Sequence, residues 1–456
     1  MINFIVSLLD QPPIVVGIMA LIGLIVLKKP LSKIVTGTFK TIIGFVVFQI
    51  GSNAISGSLG VLGPAFESAF HIQGVVPTNE AVIALVQQNF GTQMALIMAF
   101  GFIANIIIAR ITSFKYIFLT GHHMLFMAGL LSAILSVLGF TGTELIVVGS
   151  LFLAATMVIS PAVVQPFYRK VTGNDSVAMG HFNGLTYAIA GLVSKAVGNK
   201  ERSTEDIHVP EGLSFFKDNV ISTAIVMNII FLITLHLADT AVATKLSGGT
   251  NVAVYAIMQA FTFTAGFVMV LQGVRMMLAE IVPAFKGISE KLVPNAVPAL
   301  DCPVIFPFAP NAVIIGFLAS LAGAVVSFIL LPICGLPVLI PGLIPAFFVG
   351  AAAGVLANAQ GGLRGTIIGC FVNGLILNTI PAFLLPLLGN LGFANSTFGD
   401  ADFAFTGIVV GNIGNAFAKV GIYGLLGVIF IIIAGITISS NLKSKSKKIE
   451  ETNAKA

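Results

Sequence analysis

The second half of this chain repeats the first about 220 residues on, and nothing else in the sequence limits its architecture as strongly. Gly44-Phe45-Val46 returns as Gly266-Phe267-Val268, and Pro64-Ala65-Phe66 returns as Pro283-Ala284-Phe285. Glu80 falls opposite Asp301, Phe90 opposite Phe308, and Thr120-Gly121 opposite Pro341-Gly342. The offsets drift only between 218 and 222, so the match is collinear rather than a scatter of chance triplets. With a mean hydropathy of +1.02 and 9% charged residues, against about 25% in water-soluble domains, both halves belong in a bilayer. A long repeat in such a chain implies a transporter built from two related halves. It also draws attention to Glu80 and Asp301, one acid per half.

A membrane-spanning helix needs roughly 20 apolar residues. About eleven segments qualify: near 12–28, 38–58, 92–110, 115–138, 144–166, 219–240, 252–280, 311–331, 336–357, 364–389 and 405–440. The expected class is therefore an all-α polytopic membrane protein. Segment 174–196 opens with Asn174-Asp175 and holds His181 and Asn183, so it reads as a re-entrant element rather than a full span. The basic residues orient the set by the positive-inside rule. Lys28, Lys29 and Lys33 put the end of the first helix in the cytoplasm and the N-terminus outside. Arg110 and Lys115, Arg169 and Lys170, Lys200, Arg202 and Lys217, Arg275, Lys286 and Lys291, Arg364, and the tail lysines 443, 445, 447 and 448 then all fall inside. Lys245 is the exception.

Five spans in the first unit, an odd number, invert the second unit relative to the first. The expected organisation is a first repeat over 1–196 with its re-entrant element and a polar cytoplasmic linker over 197–218. An inverted second repeat over 219–400, a final span over 401–440 and a charged, disordered cytoplasmic tail over 441–456 complete it. Ser203-Thr204-Glu205-Asp206 in the linker suits the cap of a short surface helix. The first apolar run is followed by Lys28-Lys29-Pro30 with no small-residue cleavage site, and reads as a retained helix rather than a signal peptide. The net charge of +5 implies anionic lipid headgroups as partners rather than nucleic acid.

Four constellations carry polar chemistry. Pro77-Thr78-Asn79-Glu80 lies opposite Leu300-Asp301-Cys302-Pro303, and the second copy is crowded by Pro294, Pro298, Pro307 and Pro310. No continuous helix holds that many prolines. Irregular backbone at membrane depth is tolerated only inside protein or beside a wet cavity, and an acid there marks a site. The other reading is an acid capping a helix in an interfacial loop. Thr120-Gly121-His122-His123-Met124 opens an apolar run, with adjacent side chains about 100° apart on a helix. One histidine then faces a polar cavity, His122 before His123, and the other packs against a neighbour. Met179-Gly180-His181-Phe182-Asn183-Gly184 suits a tip that presents His181 to a ligand, or else a polar surface turn. Ala357-Asn358-Ala359-Gln360-Gly361-Gly362 either lines the pocket or forms a cytoplasmic loop.

His71, His208 and His236 read as loop or interfacial residues. The three cysteines have no paired spacing, so no disulfide framework or metal motif is expected, and Cys302 reads as a small buried hydrophobe. No metal-ligand spacing, phosphate-cradling glycine loop or nucleophile elbow calls for a cofactor. Acid, imidazole and amide together, with phenylalanines for ring faces and no arginine clamp, suit a polyhydroxylated neutral or weakly acidic solute.

Several stretches resemble one family. Thr120-Gly121-His122, Gly180-His181, and Asp301-Cys302 followed by Phe308-Ala309-Pro310-Asn311-Ala312-Val313 are similar to the membrane subunit, enzyme IIC, of the ascorbate-type phosphotransferase system. So are the stretch from Asp218 to Met227, Lys40-Thr41-Ile42-Ile43-Gly44-Phe45, and Gln272-Gly273-Val274-Arg275-Met276. The resemblance runs from about residue 15 to 420. It implies a homodimeric inner-membrane permease of eleven spans that takes L-ascorbate from outside and presents it inward. There a separate IIB subunit, charged on its own cysteine through enzyme I, HPr and IIA, phosphorylates the sugar. Carried over by position, the family's ligand residues fall on Asn79, Glu80, His122, His123, Phe126, His181, Phe182 and Asp301; of these, the acids Asp301 and Glu80 are the expected candidates for general base.

His122, His181 and Asp301 match in kind. A Thr and a Tyr of ascorbate-specific members become Asn79 and Glu80, and two glutamines become Phe126 and Phe182. Ascorbate is the first expectation, with a pentose, a polyol or another sugar acid as alternatives. A proton-coupled secondary transporter of a small polyhydroxylated solute, without a IIB partner, is the rival mechanism.

Overall fold

The computed structural model describes residues 11–70, 74–75, 77–206, 218–389 and 396–453, and some side chains within these ranges, Glu80 among them, also lie outside the described residues. His71, His208, Pro210, Gly212 and Lys217 are outside them too. The described chain is helical almost throughout, as lipid requires of a backbone that must satisfy its own polar groups. In order the elements are α1 (Pro12–Val26), α2 (Leu31–Phe70), α3 (Asn79–Ile111), β1 (Tyr116–Phe118), α4 (Gly121–Val137), α5 (Gly142–Thr172), β2 (Ala178–Met179) and α6 (Gly184–Val197). A short 3-10 turn (Thr204–Asp206) follows, then α7 (Asn219–Leu237), α8 (Thr240–Ser247), α9 (Val252–Leu292) and β3 (Val297–Leu300). A 3-10 helix (Cys302–Phe308), α10 (Pro310–Ile333), α11 (Leu343–Gly389) and α12 (Ala401–Asn453) complete the chain.

Among the described residues, six helical segments are long and apolar enough to cross a membrane, and four more apolar helices are shorter. The protein is an all-α, multi-pass membrane protein. The separate spans expected at 336–357 and 364–389 correspond to the two helical stretches of α11, which meet at Gly361 and Gly362 where the backbone leaves helical geometry. Gly362 has φ +60 and its Cα faces the linker so closely that a Cβ would fall 2.2 Å from the carbonyl oxygens of Asn199 and Arg202. Only glycine fits there. The single span expected over 405–440 is also broken, at Ala418 (φ 51, ψ −150), beside a lysine that turns to a polar partner. The tail expected to be disordered continues as helix to Asn453. Extending an existing helix needs no new nucleus, and Leu, Lys and Glu, which occur over 441–453, are good helix formers.

The Ala357–Gly362 stretch neither loops out nor reaches the cluster described below; it seats the linker. Asn199 N–H donates to Gly361 O (2.8 Å) and Leu363 N–H to Arg202 O (2.7 Å). Asn358 Oδ1 accepts from Thr204 N–H (3.0 Å), and Gln360 Oε1 accepts from Lys170 Nζ (2.7 Å). Ser203 and Asp206 cap their short turn reciprocally, with Ser203 N–H on Asp206 Oδ2 (2.9 Å) and Glu205 N–H on Ser203 Oγ (3.1 Å). The intervening Glu205 carboxylate accepts from the first free amides of α10, Asn311 N–H (3.2 Å) and Ala312 N–H (3.0 Å), where a helix favours negative charge.

The three strands form one small parallel sheet in the order β1-β3-β2. Tyr116–Phe118 pair with Val297–Ala299, and Ala178–Met179 pair with Ala299–Leu300. They are the extended ends of three segments whose backbone polar groups, away from water, must find partners in one another. A second, smaller pairing echoes the first: Val75 bridges Leu339, and Thr78 N–H donates to Thr397 O (2.8 Å). Val75 and Val297 are 222 residues apart, as are Ile117 and Leu339, so the two pairings are related by one sequence offset.

Candidate functional site

Each strand of the parallel sheet runs straight into a candidate residue. β1 leads through Thr120 to Gly121-His122 at the start of α4, β2 leads through Gly180 to His181, and β3 leads directly to Asp301. Parallel pairing in that register sends all three out at the same end. Gly180 is required there, since a Cβ would lie 2.4 Å from Ala299 O on the neighbouring strand. Asp301 caps the 3-10 helix through Cys302 N–H (2.7 Å), and the same Oδ1 accepts from His181 Nδ1 at 2.8 Å. His122 Nε2 stands 3.6 Å from Asp301 Oδ2. The Asp301 and His122 side chains are 16% and 15% exposed, against 6% for His181, so these two are the accessible face of the cluster.

The remaining sequence candidates stand behind that face. His123 is buried, its ring 4.0 Å from that of His181 and stacked 5.4 Å from Phe403, and its Nδ1 accepts from Phe182 N–H (3.3 Å). Phe182 is fully buried and stacks on Phe118 at 4.6 Å. Phe126, also buried, packs between His122 (5.7 Å) and Phe48 of α2 (6.3 Å). Both phenylalanines serve as apolar walls. Asn79 is buried with both ends engaged: Nδ2 donates to Asp400 Oδ2 and Oδ1 accepts from Gly399 N–H (2.9 Å). The backbone of Glu80 lies in the first turn of α3, and its side chain is outside the described residues.

Two acids that sequence reasoning missed complete the cluster. Asp400, 4% exposed, accepts from Asn79 Nδ2 and Asn183 Nδ2, and its Oδ1 lies 3.6 Å from His181 Nε2. Asp402 accepts from Ser160 Oγ (2.7 Å), Gly184 N–H (2.9 Å) and Leu185 N–H (3.0 Å), which fastens the positive end of α6. The internal repeat carried the missing signal. An offset of 219 takes Gly180-His181 to Gly399-Asp400 and Asn183 to Asp402.

Beyond the spans, Asp175 pins the approach to β2. It accepts from Arg169 Nε (2.6 Å) and Gln165 Nε2 (2.9 Å), and these two, the guanidinium first, hold its carboxyl below the usual carboxylate range. Groups such as His123, His181 and Asp400 lie within 4.8 Å of one another, the reach of a metal ion. The carboxylates of Asp301 and Asp400, however, already accept the hydrogen bonds just described. The cluster reads instead as a hydrogen-bonding face: a carboxylate acceptor beside an imidazole that can donate or accept, backed by aromatic rings.

The description "PTS system sugar-specific permease component" belongs to a family model that matches residues 7–402. The chain is also 26% identical over 443 residues to the "Ascorbate-specific PTS system EIIC component" of Mycoplasma pneumoniae (strain ATCC 29342 / M129 / Subtype 1). That match covers 84% of this chain and 66% of the relative, just under two thirds of its length.

Proposed function

Because the chain belongs to the family of PTS sugar-specific permease components, we propose that it binds L-ascorbate, or a closely related sugar, against Asp301 and His122 and delivers it for phosphorylation by a separate IIB subunit. The observation that carries this reading is the convergence of His122, His181 and Asp301 at one end of a three-stranded sheet, with the first and last partly accessible. The name of the Mycoplasma relative supports ascorbate as the first substrate to try. A sugar hydroxyl donates to Asp301 and accepts from His122, whose ring is backed by Phe126 and Phe48. When the phosphocysteine of IIB docks, the hydroxyl oxygen forms its bond to phosphorus, the S–P bond breaks, and the proton passes to Asp301 as general base. Glu80 is the second candidate for that role.

We propose the same organisation that the repeat suggests: halves over 1–196 and 219–400, joined by the 197–218 linker and inverted relative to each other. The kink at Phe90 in α3 and the junction at Phe308 before α10 fall 218 residues apart and support it. In this reading the N-terminus is outside, the basic tail is cytoplasmic, and the protein works as a homodimer. The test is uptake of radiolabelled L-ascorbate into right-side-out vesicles loaded with phosphoenolpyruvate and the cognate soluble subunits. Accumulation of the phosphate ester, dependent on phosphoenolpyruvate, is the expected outcome. Accumulation of the free acid that collapses with an uncoupler makes the protein a proton symporter instead.

A further inference from the structure

His181 has a carboxylate on each side. An ionised carboxylate only accepts, so the 2.8 Å contact puts a hydrogen on Nδ1 toward Asp301. The other nitrogen, Nε2, is buried and makes no hydrogen bond among the described residues, with Asp400 Oδ1 3.6 Å away. A bare lone pair facing a carboxylate in a sealed interior is unfavourable, and a hydrogen on Nε2 removes the conflict. Asp400 meanwhile is held by donors that leave its charge intact. Asn79 and Asn183 are neutral amides, and their own oxygens are fixed by Gly399 N–H (2.9 Å) and Ala401 N–H (2.7 Å). Asn79 opens α3 and Asn183 precedes α6, so one carboxylate ties two helix starts to the ring that steadies Asp301.

We propose that Asp400 is a positioning residue of the sugar site: its charge, seated between Asn79 and Asn183, holds the His181 ring with hydrogens on both nitrogens and Nδ1 fixed on Asp301. The proposal rests on the reading of this cluster as the sugar site. The groups that face the ring are Asp301 and Cys302, His122 and His123 of α4, Tyr187 of α6 and Asp400 itself.

A charge relocation separates this role from a purely structural one. Asp400→Asn alone sets an amide where two acceptors stood. Asn79→Asp combined with Asp400→Asn reverses the polarity of one hydrogen bond, keeps the other, and moves the negative charge one residue away from His181. Full-length protein, labelled with 15N-histidine and assigned with a His181→Gln variant, reports the hydrogens on the ring. L-ascorbate is the binding probe, and thermal unfolding reports the fold.

The expected result has three parts. The wild-type His181 ring shows the paired signals of a doubly protonated imidazole, and Asp400→Asn loses them. The double variant regains thermal stability without regaining the ring signals, and both variants bind L-ascorbate about tenfold more weakly, the scale of one charge-assisted hydrogen bond. Unchanged ring signals in Asp400→Asn overturn the proposal, and so does a double variant that restores ring and affinity together. If wild-type protein binds no L-ascorbate, the sugar assignment fails, while the ring signals still decide the role of Asp400.

Discussion

Asp400 and Glu144 both answer polar groups on distant segments, yet they do so in opposite ways. Asp400 is 4% exposed and held by two neutral amides beside an imidazole. The Glu144 side chain is 35% exposed and held by the Lys419 ammonium and the Tyr423 hydroxyl, with Lys419 Nζ also 4.8 Å from the centre of the Phe140 ring. In the first network the charge is hydrogen-bonded but not cancelled, so its field remains available to His181. In the second an opposite charge cancels it, and what remains is an anchor between the start of α5 and the break at Ala418. The contrast teaches that amide donors are what a buried carboxylate needs when its charge is to act on something else. An unpaired buried charge is costly, and a fully paired one is spent on its partner.

The comparison can be broken most directly at the pocket. Replacing Asp301 by Ala is expected to lower phosphoenolpyruvate-dependent uptake at least ~100-fold, the scale of a general base, with a lower melting temperature because Cys302 N–H and His181 Nδ1 lose their acceptor, while size in detergent stays that of wild type. Uptake at the normal rate would move the chemistry away from this cluster. Asp402→Ala comes next. It leaves Gly184 N–H, Leu185 N–H and Ser160 Oγ without their acceptor, so it is expected to cost about 2–3 kcal/mol, seen as a melting temperature several degrees lower. An unchanged melting temperature would mean that α6 is seated by packing alone.

The outer network calls for smaller effects. Ala418→Gly relieves a left-handed conformation worth about 1–3 kcal/mol of strain, less about 0.5–1 kcal/mol for the added freedom of the unfolded chain. A modest rise in melting temperature is expected, and a fall would show that the Ala418 methyl is needed at the break. Glu144→Gln is expected to leave the melting temperature almost unchanged, and to have less effect still in high salt, as for other exposed pairs. A loss comparable to that of Asp402→Ala would mean that the outer anchor is as buried in the membrane as the pocket.

The helices were legible because hydropathy and length are written locally, and the irregular stretch before α10 was legible because Pro294, Pro298, Pro307 and Pro310 exclude a continuous helix. His122, His181 and Asp301 stood out as polar groups in apolar runs. The repeat pairs Glu80 with Asp301 at an offset of 221, and an offset of 219 takes His181 to Asp400. The break at Gly361-Gly362 was legible as a polar stretch between two apolar runs, whereas the break at Ala418 was not, because a helix interrupted at a single residue within an apolar run looks like one span. Phe126 and Phe182 were legible as residues but not as walls, because their role is set by Phe48, Phe118 and Phe403 on other segments.

By itself the sequence determined that this chain lies in a membrane as helices, in two related halves, with acids and imidazoles at their irregular joints. Apolar runs, prolines and a nearly constant offset are properties of the chain alone. Only the tertiary structure decided which of those polar groups meet. The contacts that make the site join His181 to Asp301 across 120 residues, Asn183 to Asp400 across 217, and Asn79 to Asp400 across 321. Hydrogen bonds act over about 3 Å of space and leave no mark on sequence separation, so nothing short of the folded arrangement brings them together.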